Sequence, residues 1–314
     1  MHAAPTVAVM GAGAVGCYYG GMLALAGVPL TLIGRAAHVE AIERNGLVID
    51  RADRRDVVRV RATTDATAVA GADIVLLCVK SPDTREAAAA MKPHLRGDAV
   101  VVSLQNGVAN ADTIAAVVEQ VVLASVVWVG TWMEGPGVVR HAGRGDLELG
   151  VTRACANRPG AAARAREVAA MFERAGVKCL AVDDVDAALW SKLVVNCAFN
   201  AISALGRARY GRMVREPAIR ELMEATVRES VAVARAAGVV LDEERTLASV
   251  WRTADAMATQ YSSTAQDVLR GKPTEIDMLN GYVAQRGREL GVPTPVNRTL
   301  HALVKLREAG DDLA

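Results

Sequence analysis

At 314 residues the chain is long enough for two domains of ordinary size with a cleft between them. Its 36 lysines and arginines nearly balance its 35 aspartates and glutamates, with no run of like charge, which argues against nucleic acid or an anionic membrane surface as the main partner. The N-terminus lacks the basic stretch of a signal peptide, and the longest apolar run, VVLASVVWVG (121–130), is too short to span a bilayer. Cys17, Cys78, Cys155, Cys179 and Cys197 are odd in number and without CxxC spacing, so they read as reduced thiols of a cytoplasmic protein.

Along the chain, short β-branched runs alternate with alanine-rich helical stretches: TVAVM (6–10), PLTLI (29–33), DIVLLCV (73–79), AVVVSL (99–104) and VVLASVV (121–127). Fully apolar strands separated by helices predict a parallel sheet covered on both faces, a doubly wound α/β fold. VVRHAGRGDLELG (138–150) reads as an antiparallel hairpin added at one edge, with its turn around Gly143 and Gly145.

GAGAVG (11–16) follows the first strand directly and opens a helix. In that context Gly11 allows a tight turn, Gly13 lets the backbone approach a pyrophosphate, and Gly16 permits close helix–strand packing, while Ala12, Ala14 and Val15 complete the phosphate loop. At the end of the second strand, where an NAD-binding site would place Asp or Glu, the sequence has Gly34 and Arg35. A guanidinium there suits a 2′-phosphate, so NADP(H) is the expected cofactor. Lys80 follows DIVLLCV and Asn106 follows AVVVSL, both just past strand ends where ligands gather, with Gly107 allowing close approach. Residues 1–183 form the expected NADP(H)-binding Rossmann domain.

After Asp183 the strand signals stop, and residues 184–314 read as an all-helical domain. REPAIRELMEATVRESVAVARAAG (215–238) places Ile219, Leu222, Met223, Val227 and Val231 at helical spacing, and EIDMLNGYVAQRGREL (275–290) repeats the pattern before the breaker GVPTP. LWSKLVVNCAFN (189–200) sets a lysine and two asparagines into a core-like stretch. Ordering a lysine side chain costs roughly 1.5–2 kcal/mol in rotamer entropy before any desolvation, so something other than packing selects Lys192. Lys192, Asn196 and Asn200 recur every four residues and share one helix face, a polar stripe suited to the wall of a ligand cleft. His2, His38, His94, His141 and His301 show no metal-ligand spacing, and no nucleophile elbow is present.

GAGAVG, CVKS, LQNGV, LWSKLVVNCAFN, YSSTAQDVLRGKPTEIDMLNGY and GVPTPVN, in that order, resemble the ketopantoate reductase family. The resemblance runs over nearly the whole chain and implies a Rossmann domain followed by a helical domain that reduces 2-dehydropantoate, or a related 2-keto acid, with NADPH in coenzyme A biosynthesis. It makes Lys192 the general acid at the carbonyl oxygen. Asn196, Asn200 and Ser263 would hold substrate, and Asn106 would reach both nicotinamide and substrate. Glu275 would bond either the substrate hydroxyl or the cofactor ribose, and Gly11 to Gly16, Arg35 and Lys80 would hold NADPH. A carboxylate at Glu275 also suits the start of the helix expected after Pro273 and Thr274.

The sequence departs from the family in two places: Tyr210 stands before Gly211 where an asparagine is usual, and Trp132 and Met133 replace small or hydroxyl residues expected near the nicotinamide. Both suggest a bulkier or more apolar keto acid. Two other functions fit the nucleotide end, a β-hydroxyacid-type dehydrogenase and a non-catalytic NADP(H)-sensing protein; TEIDMLNG speaks against the first and the intact Lys192, Asn196, Ser263 and Glu275 against the second. The expected partner is a small keto acid, and the sequence leaves room for a homodimer.

Overall fold

A computed structural model describes residues 5–309. The chain divides into two compact units, Met1–Asp186 and Ala187–Ala314.

The first unit is built on one ten-stranded sheet. Its strands are β1 (Val7–Met10), β2 (Leu30–Ile33), β3 (Leu47–Asp50), β4 (Arg55–Val58), β5 (Arg61–Thr63), β6 (Ile74–Leu77), β7 (Val100–Ser103), β8 (Val121–Gly135), β9 (Val138–Val151) and β10 (Cys179–Ala181). They lie in the order β4-β3-β9-β8-β7-β6-β1-β2-β5, with β10 also on β9. From β5 through β2, β1, β6, β7 and into β8 every pairing is parallel. The helices α1 (Ala14–Leu25), α2 (Ala36–Asn45), α3 (Thr84–Met91), α4 (Asn110–Ala115) and α5 (Ala161–Arg174) supply the crossovers and cover. Val9, Leu32, Leu76, Val102 and Leu123 from adjacent strands meet Tyr19 and Leu23 of α1 and Phe172 of α5 in one buried cluster. Strands flanked on both sides in this way are apolar along their whole length, which is why they read as continuous runs.

The expected edge hairpin at 138–150 does not form. That segment is the single long strand β9, antiparallel to β8 and parallel to β3, and the reversal between β8 and β9 lies at Pro136 and Gly137, where Gly137 has φ +71°. Gly143 (φ +112°) and Arg144 (φ +46°) make a bulge, and the register of the pair shifts between Trp128 and Val129 and again before Thr131. An extra residue in one strand of an antiparallel pair is absorbed by bending and added twist rather than by a turn.

The second unit is helical: α6 (Val185–Gly206, starting at the end of the first unit), α7 (Tyr210–Met213), α8 (Pro217–Ala236), α9 (Glu243–Ala256), α10 (Ser263–Leu269), α11 (Asn280–Leu290) and α12 (Pro295–Glu308). By length and composition α6 could cross a membrane, but 67% of its apolar window is buried within the protein, as in the core helix of a globular fold. Buried polar side chains brace it. Asn280 Nδ2 donates to the Cys197 carbonyl (3.2 Å) and to Asn297 Oδ1 (3.0 Å). Glu229 accepts from the first N–H groups of α12 at Val296 and Asn297, both at 2.9 Å, giving that helix the cap its sequence lacks.

Candidate active site

The glycines of the first loop are needed for different reasons. Gly11 has φ +115°, and a Cβ there would lie 2.7 Å from the backbone of Cys78 and Val79; a Cβ on Gly16 would lie 2.2 Å from the Gly11 carbonyl. Packing alone forbids side chains at these two positions. Gly13 differs: a Cβ there would meet nothing within 4 Å. It occupies the cap position of α1 with no side chain bonding the first N–H groups of the helix. The open side of Gly13 and an uncapped, positively polarised helix start make a cradle that fits a dinucleotide phosphate. Gly34, at the end of β2, holds that cradle against the sheet, since a Cβ on it would lie 2.6 Å from the Ala12 Cβ.

Arg35 begins α2 beside this loop. It is exposed, and its guanidinium makes no ion pair or hydrogen bond to a described residue. His38, in the first turn of α2, is held below the ordinary imidazole range by partial burial and by the nearby Arg35 charge. Across β1 on the other side of the sheet lie Lys80, after β6, and Asn106, after β7, both exposed. The structure therefore brings Gly11, Ala12, Gly13, Ala14, Val15, Gly16, Arg35, Lys80 and Asn106 to the carboxyl ends of adjacent parallel strands.

A group of buried side chains that the sequence did not single out binds the β6 and β7 loops together. Ser103 Oγ donates to Gln105 Oε1 (3.0 Å). Gln105 Nε2 donates to the Val79 carbonyl (3.0 Å) and to Thr84 Oγ1 (2.7 Å). Thr84 Oγ1 donates to Asn110 Oδ1 (3.1 Å), and Asn110 Nδ2 donates to the Asn106 carbonyl (2.6 Å) and to Ser81 Oγ (3.1 Å).

In the second unit Lys192 and Asn196 are half-buried on α6, and Asn200, two turns on from Lys192, is buried. Asn200 Nδ2 donates to Ser263 Oγ (3.3 Å) at the start of α10. The neighbouring Ser262, unremarked in the sequence, anchors that junction: its hydroxyl donates to the Asn200 carbonyl (3.2 Å) and caps α10 by accepting from the Ala265 N–H (3.0 Å). Of the five helical-domain residues expected at the substrate, Lys192, Asn196 and Asn200 thus lie on α6, and Ser263 is bonded to Asn200.

Two expectations change, at Glu275 and Tyr210, and Trp132 is placed on the strand pair β8–β9. No helix begins at Glu275: a single 3₁₀ turn, Ile276–Met278, follows it, and α11 starts only at Asn280 after a break at Leu279 (φ −110°, ψ −109°). The helix-dipole reason for a carboxylate at Glu275 falls away; its backbone is instead fixed by the Thr274 N–H, which donates to Glu308 Oε1 (2.6 Å). Tyr210 is stacked on Phe199 with ring centres 4.1 Å apart and is only 7% exposed, so its ring belongs to the core behind α6. Trp132 lies on β8 opposite Arg140, eight residues beyond Ala124, where the pairing with β7 ends. Among the described residues no cluster of three or more His, Cys, Asp or Glu could hold a metal ion; His2 lies outside them. All five cysteines are free, and burial pushes the thiols of Cys17 and Cys179 up to about 12.

A parallel sheet with an open glycine loop at its strand ends is thus followed by a helical unit with a lysine–asparagine stripe. Residues 7–154 match the family described as ketopantoate reductase PanE/ApbA, and residues 184–308 match its C-terminal domain. The 2-dehydropantoate 2-reductase of Halobacterium salinarum is 38% identical over 96% of this chain and 98% of its own. A PanE/ApbA family ketopantoate reductase from Ralstonia eutropha, known from its crystal structure, is 51% identical and superposes with a TM-score of 0.87 over 97% of this chain and 98% of that one. D-Mandelate dehydrogenase in complex with NADH and anilino(oxo)acetate shares the fold (TM-score 0.89, covering 97% of this chain and 98% of that one) at 24% identity. The chain belongs to the ketopantoate reductase family, whose members are NADP-dependent oxidoreductases acting on a CH–OH group.

Proposed function

We propose that the chain reduces 2-dehydropantoate, or a related 2-keto acid, to the 2-hydroxy acid with NADPH, as a cytoplasmic enzyme of pantothenate and coenzyme A biosynthesis. The observation that carries this reading is the polar stripe of α6: Lys192 and Asn196 half-buried, and Asn200 bonded to Ser263, on a helix otherwise made of core residues. The sheet unit, residues 1–183, holds the cofactor. The α1 loop, Gly11 to Gly16, takes the pyrophosphate, Arg35 takes the 2′-phosphate, and Lys80 and Asn106 meet the cofactor beyond β6 and β7. The helical unit, residues 184–314, holds the keto acid. When bound, NADPH supplies the hydride that the keto carbon accepts.

The chain's own residues do the rest. The Lys192 ammonium hydrogen-bonds the keto oxygen and draws the carbonyl electron pair toward it. As that pair settles on oxygen, a proton passes from Lys192 Nζ to the new alkoxide, leaving a neutral amine that recovers its proton from solvent. Stabilising and neutralising charge at one atom in this way is worth roughly 10²–10⁴-fold in rate. Asn196, Asn200 and Ser263 donate hydrogen bonds to the carboxylate and hydroxyl of the acid. Glu275 accepts from a hydroxyl of substrate or ribose and favours the charged form of Lys192.

The test is loss of NADPH absorbance with a panel of 2-keto acids, against NADH as control. Turnover of 2-dehydropantoate or a close analogue with NADPH supports the reading. Equal use of NADH would remove Arg35 from the 2′-phosphate, and NADPH oxidation confined to 3-oxo acids added to the panel would point to the β-hydroxyacid dehydrogenases.

A further inference from the structure

We propose that Asn110, buried and bonded to Thr84, Ser81 and Asn106, is a positioning residue for cofactor binding: it locks the loops after β6 and β7 into one surface that presents Lys80, Asn106 and the Gly107 N–H to the nicotinamide half of NADPH. The inference rests on the assignment of the strand ends as the NADPH site.

The hydrogen bonds around Asn110 run in one direction. Ser103 gives its only hydroxyl proton to Gln105 Oε1, which turns the Gln105 amide so that its NH₂ faces Val79 and Thr84. Thr84 Oγ1 accepts there, so its own proton goes to Asn110 Oδ1. That in turn aims Asn110 Nδ2 at Ser81 Oγ and at the Asn106 carbonyl. Ser81 Oγ donates to the same carbonyl at 3.2 Å. Thr84, Ser103, Gln105 and Asn110 are all at most 6% exposed, so water cannot replace a lost partner without cost. Flipping the Asn110 amide would set two carbonyl-type oxygens against each other.

The chain of bonds ends on a peptide group, and that is where it bears on ligand. In a trans peptide the C=O of one residue and the N–H of the next point in opposite directions. With the Asn106 carbonyl held inward by Asn110 and Ser81, the Gly107 N–H is turned outward, at a residue with φ +96°. This N–H makes no hydrogen bond to a described residue. A main-chain donor turned outward at the carboxyl end of a parallel strand lies where ligands of such sheets bind. Arg35 stands after β2, on one side of β1, and the clamped loops stand after β6 and β7, on the other. A dinucleotide with its 2′-phosphate at Arg35 and its pyrophosphate at Gly13 therefore extends its second half toward the loops that Asn110 joins.

Calorimetric titration of NADPH and of adenosine 2′,5′-bisphosphate, which carries the 2′-phosphate but no nicotinamide, separates the two ends of the site. Asn110→Asp keeps the acceptor for Thr84 but loses both donors, and Thr84→Val breaks the chain at its centre with almost no change of shape. Each should weaken NADPH about tenfold or more, while affinity for the bisphosphate stays within about twofold and the unliganded proteins melt cooperatively. Unchanged NADPH affinity in both variants overturns the proposal, as does an equal loss for the two ligands, which would mean a general defect of the sheet unit. A wild-type protein that binds neither ligand would instead overturn the NADPH assignment on which the proposal rests.

Discussion

In the proposed site the glycine loop of the first unit and the polar stripe of α6 would serve function by opposite means. At the loop the essential feature is a missing side chain: Gly13 has open space where a Cβ would stand, while Gly11 and Gly16 are excluded from bearing one by their own neighbours. On α6 the feature singled out is a side chain unlike its surroundings, Lys192 among residues such as Leu193, Val194 and Cys197 that are buried and apolar. The contrast shows how to separate structural from functional residues. A residue whose replacement the surrounding atoms forbid owes its identity to the fold, and one whose replacement they would welcome owes it to a ligand or a reaction.

The largest expected effect tests the α6 half of that contrast. Lys192→Ala should lower the rate of the reductive step by roughly 10²–10⁴-fold and leave NADPH binding nearly intact. Its melting temperature should hold or rise, because a partly desolvated charge gives way to a good helix former. Single-turnover reduction and a melting curve on one sample measure both; near-normal turnover in a destabilised protein would return Lys192 to the fold.

Tyr210, on α7 and packed against Phe199 of α6, marks the opposite case. Because its ring stacks on Phe199 and is almost wholly buried, Tyr210→Asn should cost about 3–4 kcal/mol of stability, read as a drop in the denaturant midpoint. The ratio of kcat/KM for 2-dehydropantoate to that for bulkier keto acids should barely move. A changed preference with unchanged stability would put Tyr210 in the substrate pocket after all.

The glycines sharpen the other half. Gly11→Ala forces a Cβ to within 2.7 Å of backbone atoms at φ +115° and should destabilise the unliganded protein by about 1–3 kcal/mol. Gly13→Ala has room for its methyl group and should leave the unliganded melting curve unchanged, yet weaken NADPH about tenfold. Equal melting losses in the two variants would erase the distinction between them.

These differences also explain what the sequence could and could not tell. Strands β1, β2, β6, β7 and β8 were legible because burial on both faces imposes uninterrupted apolar runs, and GAGAVG because its spacing follows from backbone contacts only a few residues apart. RDVV in β4 and RAT in β5 carry charge at the two margins of the sheet, so they give no such signal. In β9 the same glycines that make a bulge imitate a turn. Lys192, Asn196 and Asn200 stood out as polar residues in apolar surroundings, but whether Tyr210 faced ligand or core depended on Phe199, 11 positions away and on another helix. The clamp around Asn110 was invisible for the same reason: Gln105 and Thr84 are 21 residues apart, and Thr84 and Asn110 are 26 apart, and no local pattern links them until the β6 and β7 loops lie side by side.

The smallest expected effect probes how the sheet that carries the phosphate loop is tied together at its other end. Asp73, just before β6, accepts from the Thr6 N–H and the Thr6 hydroxyl, both at 2.8 Å, and from Arg96 at 2.8 Å. The Thr6 bonds, with help from the Arg96 charge, hold its carboxyl below the usual carboxylate range. A carboxylate whose pKa is lower in the folded than in the unfolded chain adds stability above the unfolded value, and that stability is lost as pH falls through the folded one. Because the Asp73 side chain is 35% exposed, solvent screening limits the gain to no more than about 1 kcal/mol. Asp73→Asn should therefore lower the urea midpoint slightly at pH 7, and the gap from wild type should close as both are titrated below about pH 4. NADPH affinity should be unaffected, since Asp73 stands at the amino end of β6 and the phosphate cradle at the carboxyl end of β1. A gap that persists undiminished into acid would mean that Asp73 acts through neutral hydrogen bonds alone, and a loss of NADPH affinity would mean that the two ends of these strands are less independent than their separate bonding makes them.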